Sequence, residues 1–181
     1  MFEYEVKLSL DGVDIDLLKK RLCDLGFKHI SHCFEEDHYI DFRGCINYVE
    51  DSALRVRIYR CDDGEIKYKL TFKGPRTSMD IKVREEIEMD LMDDRLLEIF
   101  RKLGFRDLIV RKVRDEYSKG DLKVYIDDVE GLGVFMEIEV LNVESKEAYM
   151  GRLMELLDSL NLSNRPLIVK TYLELILQRE C

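Results

Sequence analysis

The sequence lacks a basic excess, a long apolar run and any low-complexity segment. Its formal net charge of -9 argues against a general nucleic-acid binder, which would carry an excess of basic residues, although it leaves room for a local basic site. No apolar run approaches the length of a membrane span, so we expect no membrane segment. Apolar residues make up 46% of the chain and recur periodically, which excludes intrinsic disorder. The length favours one domain over residues 1–181.

Cysteine pairs with the Cys-x-x-Cys spacing are absent as well. The five cysteines are an odd number, and no signal peptide precedes the first predicted strand, so we expect a soluble cytoplasmic protein with free thiols. Residues 28–38, KHISHCFEEDH, hold the three histidines and Cys33. Their spacing fits no closed tetrahedral zinc site. We interpret the segment as a surface turn that leads into a strand.

Apolar residues at helical spacing predict four helices. The segments are 14–25, 93–103, 147–160 and, after Pro166, 167–177. The first two end in similar sequences, DLGF at 24–27 and KLGF at 102–105, in which glycine terminates the helix. This similarity is consistent with an internal duplication of a strand–helix unit.

Alternation of charged and apolar residues predicts the strands. The segments are 2–8, 54–60, 66–73, 81–89, 110–117, 122–128 and 134–140. In 54–60, LRVRIYR, the two arginines share one face and the aliphatic residues share the other. The charges are also sorted by sign: Glu137 and Glu139 share a face, for example, as do Arg55 and Arg57.

The sorting of these charges indicates which face of the strands points inward. In an ordinary antiparallel sheet the polar face lies in solvent, and that interpretation fits any single strand. Like charges two residues apart repel each other, however, so sorting gains nothing on an exposed face. Sorted charges do suit a cavity that holds groups of opposite charge. We therefore predict an α+β fold: a closed eight-stranded antiparallel β-barrel with amphipathic helices packed outside.

The two kinds of charge indicate the ligand of such a cavity. Arginine and lysine neutralise and orient phosphoryl oxygens, so a basic wall fits a polyphosphate. Carboxylates bind hard divalent cations, so an acidic wall fits Mg²⁺ or Mn²⁺. A nucleoside triphosphate or another triphosphate with its metal ion satisfies both walls.

These residues resemble the CYTH superfamily, which includes class IV adenylate cyclases and thiamine triphosphatases. The family hallmark ExExK corresponds to Glu3, Glu5 and Lys7. Further matching elements follow in order: DHY at 37–39, ALRVR at 53–57, KLTFKGP at 69–75, VREEIE at 83–88, RKVR at 111–114 and YIDDVEGLGVFMEIE at 125–139. The resemblance covers nearly the whole chain and implies an eight-stranded barrel that forms a triphosphate tunnel.

The resemblance also implies roles for individual residues. Triphosphate binding is implied for Arg55, Arg57, Lys69, Lys73, Arg84, Lys112 and Arg114. Metal binding is implied for Glu3, Glu5, Asp127, Glu137 and Glu139. Residues 75–82 would form a flap near the tunnel mouth, and Tyr172 looks like the family's C-terminal tyrosine near the tunnel end.

Lys7 and Tyr39 are the candidate catalytic residues. If other cations flank Lys7, its pKa would be depressed, and it could act as a base on water together with Tyr39. Alternatively, Lys7 is a plain phosphate ligand. A carboxylate-bound metal hydroxide is a third option.

Two reactions fit this predicted site. The motifs look most like those of the class IV cyclases, which convert ATP to cyclic AMP and pyrophosphate. Hydrolysis of tripolyphosphate is the main alternative; thiamine triphosphate is less favoured, because that enzyme stacks the thiamine ring on a tryptophan and this sequence has none. The acidic set argues against a non-catalytic module that binds polyphosphate or nucleotide. A homodimer is compatible with the sequence, which does not determine the oligomeric state.

Overall fold

The computed structural model describes residues 2–45, 49–76, 82–140 and 145–179, apart from the side chains of residues 2–4 and 82–83. Within these ranges the chain forms eight strands: β1 Phe2–Ser9, β2 Lys28–Asp41, β3 Ala53–Cys61, β4 Ile66–Lys73, β5 Lys82–Leu91, β6 Arg106–Lys119, β7 Leu122–Val129 and β8 Gly133–Val140. It also forms four helices: α1 Ile15–Asp24, α2 Arg95–Lys102, α3 Lys146–Leu160 and α4 Tyr172–Arg179. The prediction of an α+β fold with eight strands and external helices is confirmed.

All of the strand pairs are antiparallel, and the order of neighbours is β1-β5-β4-β3-β2-β6-β7-β8. The first strand, β1, pairs with β5 over Phe2–Glu5 and with β8 over Tyr4–Ser9. The pairing thus returns to β1 and forms a closed barrel. Closure leaves each described strand with two neighbours and separates an inner from an outer face.

The element order repeats within the barrel. A strand, a helix and three strands occur first as β1-α1-β2-β3-β4 and again as β5-α2-β6-β7-β8. Strands β1 to β4 of the first repeat correspond to β5 to β8 of the second. Exchanging each strand with its counterpart leaves the order of neighbours around the barrel unchanged, and the counterparts β2 and β6 pair with each other. Gly26 and Gly104 follow α1 and α2 with the same φ of 88°, which favours glycine. This symmetry supports the duplication that the DLGF and KLGF sequences indicated.

The apolar faces of the strands point outward and are buried under helices. Helices α1 and α3 cover β1, β7 and β8, where Leu22 and Leu153 are fully buried. Helix α2 inserts Leu97 over β2 and β3. Side chains cap two of these helices at their first turn, since Asp14 accepts a hydrogen bond from Leu17 N and Ser145 accepts one from Ala148 N.

None of the helices in the described ranges is long and apolar enough to cross a membrane.

Two boundaries differ from the predictions. The segment 28–38 is not a surface turn, because it belongs to the 14-residue strand β2. The fourth helix begins at Tyr172 rather than at residue 167. Ile168 instead pairs with Lys7, donating to Lys7 O at 2.7 Å and accepting from Lys7 N at 3.1 Å. This happens where β5 has stopped pairing with β1, so that residue 168 satisfies backbone groups that β5 leaves open.

The expectation that all cysteines are free thiols is wrong for two of them. Cys33 and Cys61 form a disulfide. They lie 28 residues apart in the sequence but directly opposite each other in the β2–β3 ladder. Cys23 and Cys45 are free and exposed, and Cys181 lies outside the described residues. The inference of a reducing compartment therefore loses part of its support.

We expect Leu153→Ala to lower the free energy of unfolding by about 2–5 kcal/mol, because it leaves a cavity between α3 and the barrel. Urea denaturation measures this change. Met154→Ala is the matched control, since Met154 is the next residue of α3 and is 37% exposed. An equal effect of both substitutions would contradict this description of the core.

Candidate functional site

The interior of the barrel is ionic. Alternation along the strands turns charged side chains inward, and most of them are buried. The buried members are Glu5, Lys7, Glu35, Asp37, Arg55, Arg57, Lys73, Arg84, Glu86, Lys112, Arg114, Asp127 and Glu137. All but Asp127 line one cavity of about 460 Å³. The prediction that the charged faces point inward is confirmed.

Asp127 holds two of the predicted phosphate-binding cations in place. Arg114 donates to both of its carboxylate oxygens at 2.6 Å, and Lys112 lies 3.4 Å away. The hydroxyl of Tyr172 donates to it at 2.8 Å. Burial alone would raise the pKa of Asp127, but these cations outweigh burial and hold the pKa below its usual range. Asp127 was predicted as a metal ligand; the structure places it behind the cavity as the partner of Arg114 and Lys112.

Arg57 is bound in the same way by two acids that the sequence analysis missed. Its Nε and Nη2 donate to Asp37, the latter at 2.7 Å, and its Nη1 lies 2.9 Å from Glu35. Both acids are inward residues of β2. Period-two alternation was present in this segment, at Cys33, Glu35, Asp37 and Tyr39, and could have identified the two acids. It was overlooked because the segment was interpreted as a turn.

Carboxylates, not cations, surround Lys7. Its Nζ lies 2.9 Å from Glu5 and 3.6 Å from Glu137. Burial opposes the ammonium charge, but the two acids outweigh it and raise the pKa of Lys7. Burial and the charge of Asp37 likewise raise the pKa of Tyr39. The expected depressed pKa of Lys7 is therefore wrong, and both groups remain protonated donors at neutral pH.

Two buried guanidinium groups keep open donors in the cavity. Arg55 and Arg84 are 7% and 3% exposed, and in the described part of the chain the Nε atom of each has no hydrogen-bond partner. Other atoms of the Arg55 guanidinium lie 3.3 Å from Thr71 Oγ1 and 3.6 Å from Asp37. A buried donor without an acceptor costs about 1–3 kcal/mol. These donors therefore suit an anionic ligand that supplies acceptor oxygens.

The acidic side of the cavity carries Glu5, Glu137 and Glu139 on the neighbouring strands β1 and β8. Glu139 accepts a hydrogen bond from the Tyr125 hydroxyl at 3.0 Å. Burial raises the pKa of Glu139, and the like charges of Glu137 and Glu5 raise it further. The side chain of Glu3, the other predicted ligand on β1, lies outside the described residues.

These carboxylates fit a hard divalent cation. Among the described residues, no three acidic, histidine or cysteine side chains are grouped to hold a metal ion alone. Instead, Glu5 contacts Lys7, and Glu137 contacts Arg114 at 3.0 Å. Mg²⁺ commonly binds one or two carboxylates together with substrate phosphates and water, so a complete protein cage is not required. A cation would also relieve the repulsion that raises the pKa of Glu139.

The remaining predicted residues lie around this centre. Lys73 pairs with Glu86, and Lys69 pairs with Glu88 at 2.9 Å, where β4 runs beside β5. Most of the predicted flap, 75–82, falls on residues 77–81, outside the described ranges.

The three histidines do not form a site together. His29 and His32 contact Asp115, whereas His38 lies between Glu36 and Asp107. Cys33 is in the disulfide.

The sequence matches the CYTH domain family over residues 1–172. The chain belongs to this family. A relative from Methanocaldococcus jannaschii, named "Putative adenylate cyclase MJ0240", is 39% identical over 184 residues, which cover 97% of this chain and 98% of the relative.

Solved structures share the fold of this CYTH-domain protein. The PH1819 protein of Pyrococcus horikoshii OT3 has a TM-score of 0.78 and 31% identity, covering 98% of this chain and 99% of that one. HpAC1 of Hippeastrum, described with a dominant triphosphatase activity, has a TM-score of 0.60 and 20% identity over 99% and 95% of the two chains. At that identity the Hippeastrum structure shows the fold alone.

We expect the thermal stability of the protein to fall as the pH drops below about 4. Arg57 holds the pKa of Asp37 and Glu35 below their ordinary values of 3.8 and 4.5, despite burial, which opposes this shift. At low pH the unfolded chain therefore binds protons that the folded chain excludes, and protonation favours unfolding. Thermal unfolding between pH 7 and pH 3 measures the effect. Asp37→Asn should weaken the pH dependence of the unfolding temperature. If the unmodified protein unfolded at the same temperature at pH 3 as at pH 7, this prediction would be wrong.

Proposed function

We propose that this CYTH-domain protein is a metal-dependent enzyme that acts on a triphosphate inside the barrel, and that its reaction is the class IV cyclase conversion of ATP to cyclic AMP and pyrophosphate. The open Nε donors of Arg55 and Arg84 in an ionic cavity carry the proposal, because they suit an anion with several acceptor oxygens. The cyclase name of the Methanocaldococcus relative supports the choice of reaction.

The basic side chains would bind the phosphate chain in two ways. Arg55 and Arg84 would donate through atoms that lack partners in the described structure. Arg57 and Arg114 already have bidentate carboxylate partners, which fix the direction of each guanidinium group before a ligand arrives. Preorganised cations of this kind stabilise charge that develops during phosphoryl transfer.

Glu5, Glu137 and Glu139 would hold the divalent cation against the phosphates. When bound, Mg²⁺ or Mn²⁺ would neutralise charge on the phosphoryl oxygens. Lys7, which contacts Glu5 and Glu137, would then donate to a phosphate oxygen. Its raised pKa makes this role fit better than that of a base.

In the cyclase reaction the ribose 3′-hydroxyl oxygen bonds to the α-phosphorus, the bond from that phosphorus to the leaving pyrophosphate breaks, and the hydroxyl proton is released to water. The chain's cations would orient the phosphates for this displacement and stabilise the negative charge that builds up on the leaving group. Tyr39, whose pKa is raised, would remain a hydrogen-bond donor at the β2 side of the cavity.

Triphosphate hydrolysis is the second candidate. The cavity is lined mostly by ionic side chains, which suit phosphates whatever organic group is attached. The same groups suit attack by water on the terminal phosphorus. A binding module without activity fits less well, because an anion binder gains nothing from carboxylates placed beside its ligand.

The deciding experiment incubates the protein with ATP, tripolyphosphate or thiamine triphosphate, each with Mg²⁺ or Mn²⁺. Release of cyclic AMP and pyrophosphate from ATP is the expected result. Release of orthophosphate would support the hydrolase instead. No metal-dependent turnover of any of the three compounds would overturn the proposal of an enzyme.

We expect Glu137→Gln to reduce turnover at least about 100-fold, since the neutral amide removes a metal-binding charge. The fold should survive, because Arg114 still donates a hydrogen bond to Asp127 and Lys7 still donates one to Glu5. Steady-state rates and circular dichroism check both parts. Glu130→Gln, at a side chain that is 70% exposed, is the control. Undiminished metal-dependent turnover in Glu137→Gln would exclude this carboxylate from the metal site.

We expect Arg84→Gln to weaken tripolyphosphate binding about tenfold or more, since a hydrogen bond to a charged group contributes about 1.5–3 kcal/mol. Isothermal titration calorimetry measures the dissociation constant. Arg95→Gln, at a side chain that is 79% exposed, serves as the control. Equal affinities of Arg84→Gln and the unmodified protein would show that Arg84 does not contact the ligand.

A further inference from the structure

The cavity changes character at the end of the barrel that α4 covers. There its lining includes Tyr39 of β2, Leu108 of β6, and Leu173 and Leu177 of α4. All four are only partly buried. We call these four residues the apolar wall. The wall lies in the same cavity as the buried cations and acids, so one elongated ligand can contact both regions.

Helix α4 packs against the barrel and also lines the cavity. Its first residue, Tyr172, packs against Phe135 with ring centroids 5.4 Å apart, in a cluster with Val110 and Val129. That contact fills the side formed by β6, β7 and β8. Leu173 and Leu177 are four residues apart, so they share one helix face and both line the cavity.

Charges near the apolar wall are already paired with one another. Arg43 lies 2.8 Å from Asp41, and Arg76 lies 2.7 Å from Asp51 and 2.8 Å from Glu174. These cations are therefore less suited to bind phosphate than the open donors of the interior.

The opposite end of the cavity is different. It is lined by Lys69, Glu88, Glu116, Lys123 and Glu139, together with tyrosines. The apolar wall thus lies at one end of the cavity, where the charged lining residues Asp41, Arg43, Asp51 and Glu174 are held in ion pairs.

We propose that the apolar wall binds the organic group of a triphosphate ester, so that the protein selects an ester with an apolar or aromatic group over inorganic tripolyphosphate. This inference rests on the proposed function, because the phosphates must occupy the ionic interior. A ring placed between Tyr39 and the leucines would remove apolar surface from water on both partners. The cavity volume of about 460 Å³ lies within the range of small-molecule sites.

The test measures dissociation constants of ATP and of tripolyphosphate by isothermal titration calorimetry with MgCl₂. We expect Leu177→Ala and Leu108→Ala each to weaken ATP binding about tenfold, and to leave tripolyphosphate binding within about twofold. The two substitutions lie on different elements, so a folding defect in one leaves the other informative. Leu17→Ala, at an α1 leucine that is 47% exposed, is the matched control and should change neither constant.

The outcomes separate this inference from the proposed function. Equal weakening of both ligands, or no change for ATP in either variant, would overturn the apolar wall while triphosphate binding by the unmodified protein still supported the proposed function. An unmodified protein that bound neither ligand would overturn both.

Discussion

The contact between Arg114 and Asp127 shows the constraint under which the whole barrel is built. Asp127 has no exposed surface, and Arg114 is 8% exposed, so neither charge is stabilised by bulk water. A buried ion remains charged only when opposite charges and hydrogen bonds replace its hydration. Arg114 supplies two hydrogen bonds, and Tyr172 and Lys112 supply the others. Similar ion pairs among the other interior side chains compensate their burial, so the strands can turn their charged faces into the barrel.

This constraint divides the interior cations into two groups. Arg57 and Arg114 have bidentate acid partners, and removing those partners would leave an uncompensated charge. Arg55 and Arg84 retain buried donor atoms without acceptors in the described chain. The protein itself holds the first group in place, whereas the second group keeps donor atoms that suit acceptor oxygens of a ligand. This imbalance in the hydrogen bonding of the folded state is the observation on which the proposed anion site rests.

The sequence predicted the inner faces well, because period two is a local property. Alternation around Arg55 and Arg57, or around Glu137 and Glu139, can be read within a few residues. Pairing across the barrel is not local. Nothing near Lys7 in the sequence shows that Glu137 lies beside it, and a depressed pKa was therefore expected where the pKa is raised.

Contacts between residues distant in the sequence also explain the other differences between the predictions and the structure. Cys33 meets Cys61 only through the register of two strands. Glu35 and Asp37 were overlooked because the histidines and cysteine around them suggested a turn. Ile168 leaves the fourth predicted helix because β1 offers it backbone hydrogen bonds, a tertiary effect that overrides helical periodicity.

The repeated strand–helix–three-strand order has an evolutionary consequence. In the closed barrel β1 has both of its neighbours, β5 and β8, in the second repeat, and β5 has both of its neighbours, β1 and β4, in the first. Each repeat thus donates its leading strand to the sheet of the other, as in a domain-swapped pair. A half-length ancestor could not have closed this barrel alone. Two copies related by a twofold axis would be needed, each with its leading strand paired between strands of the other copy.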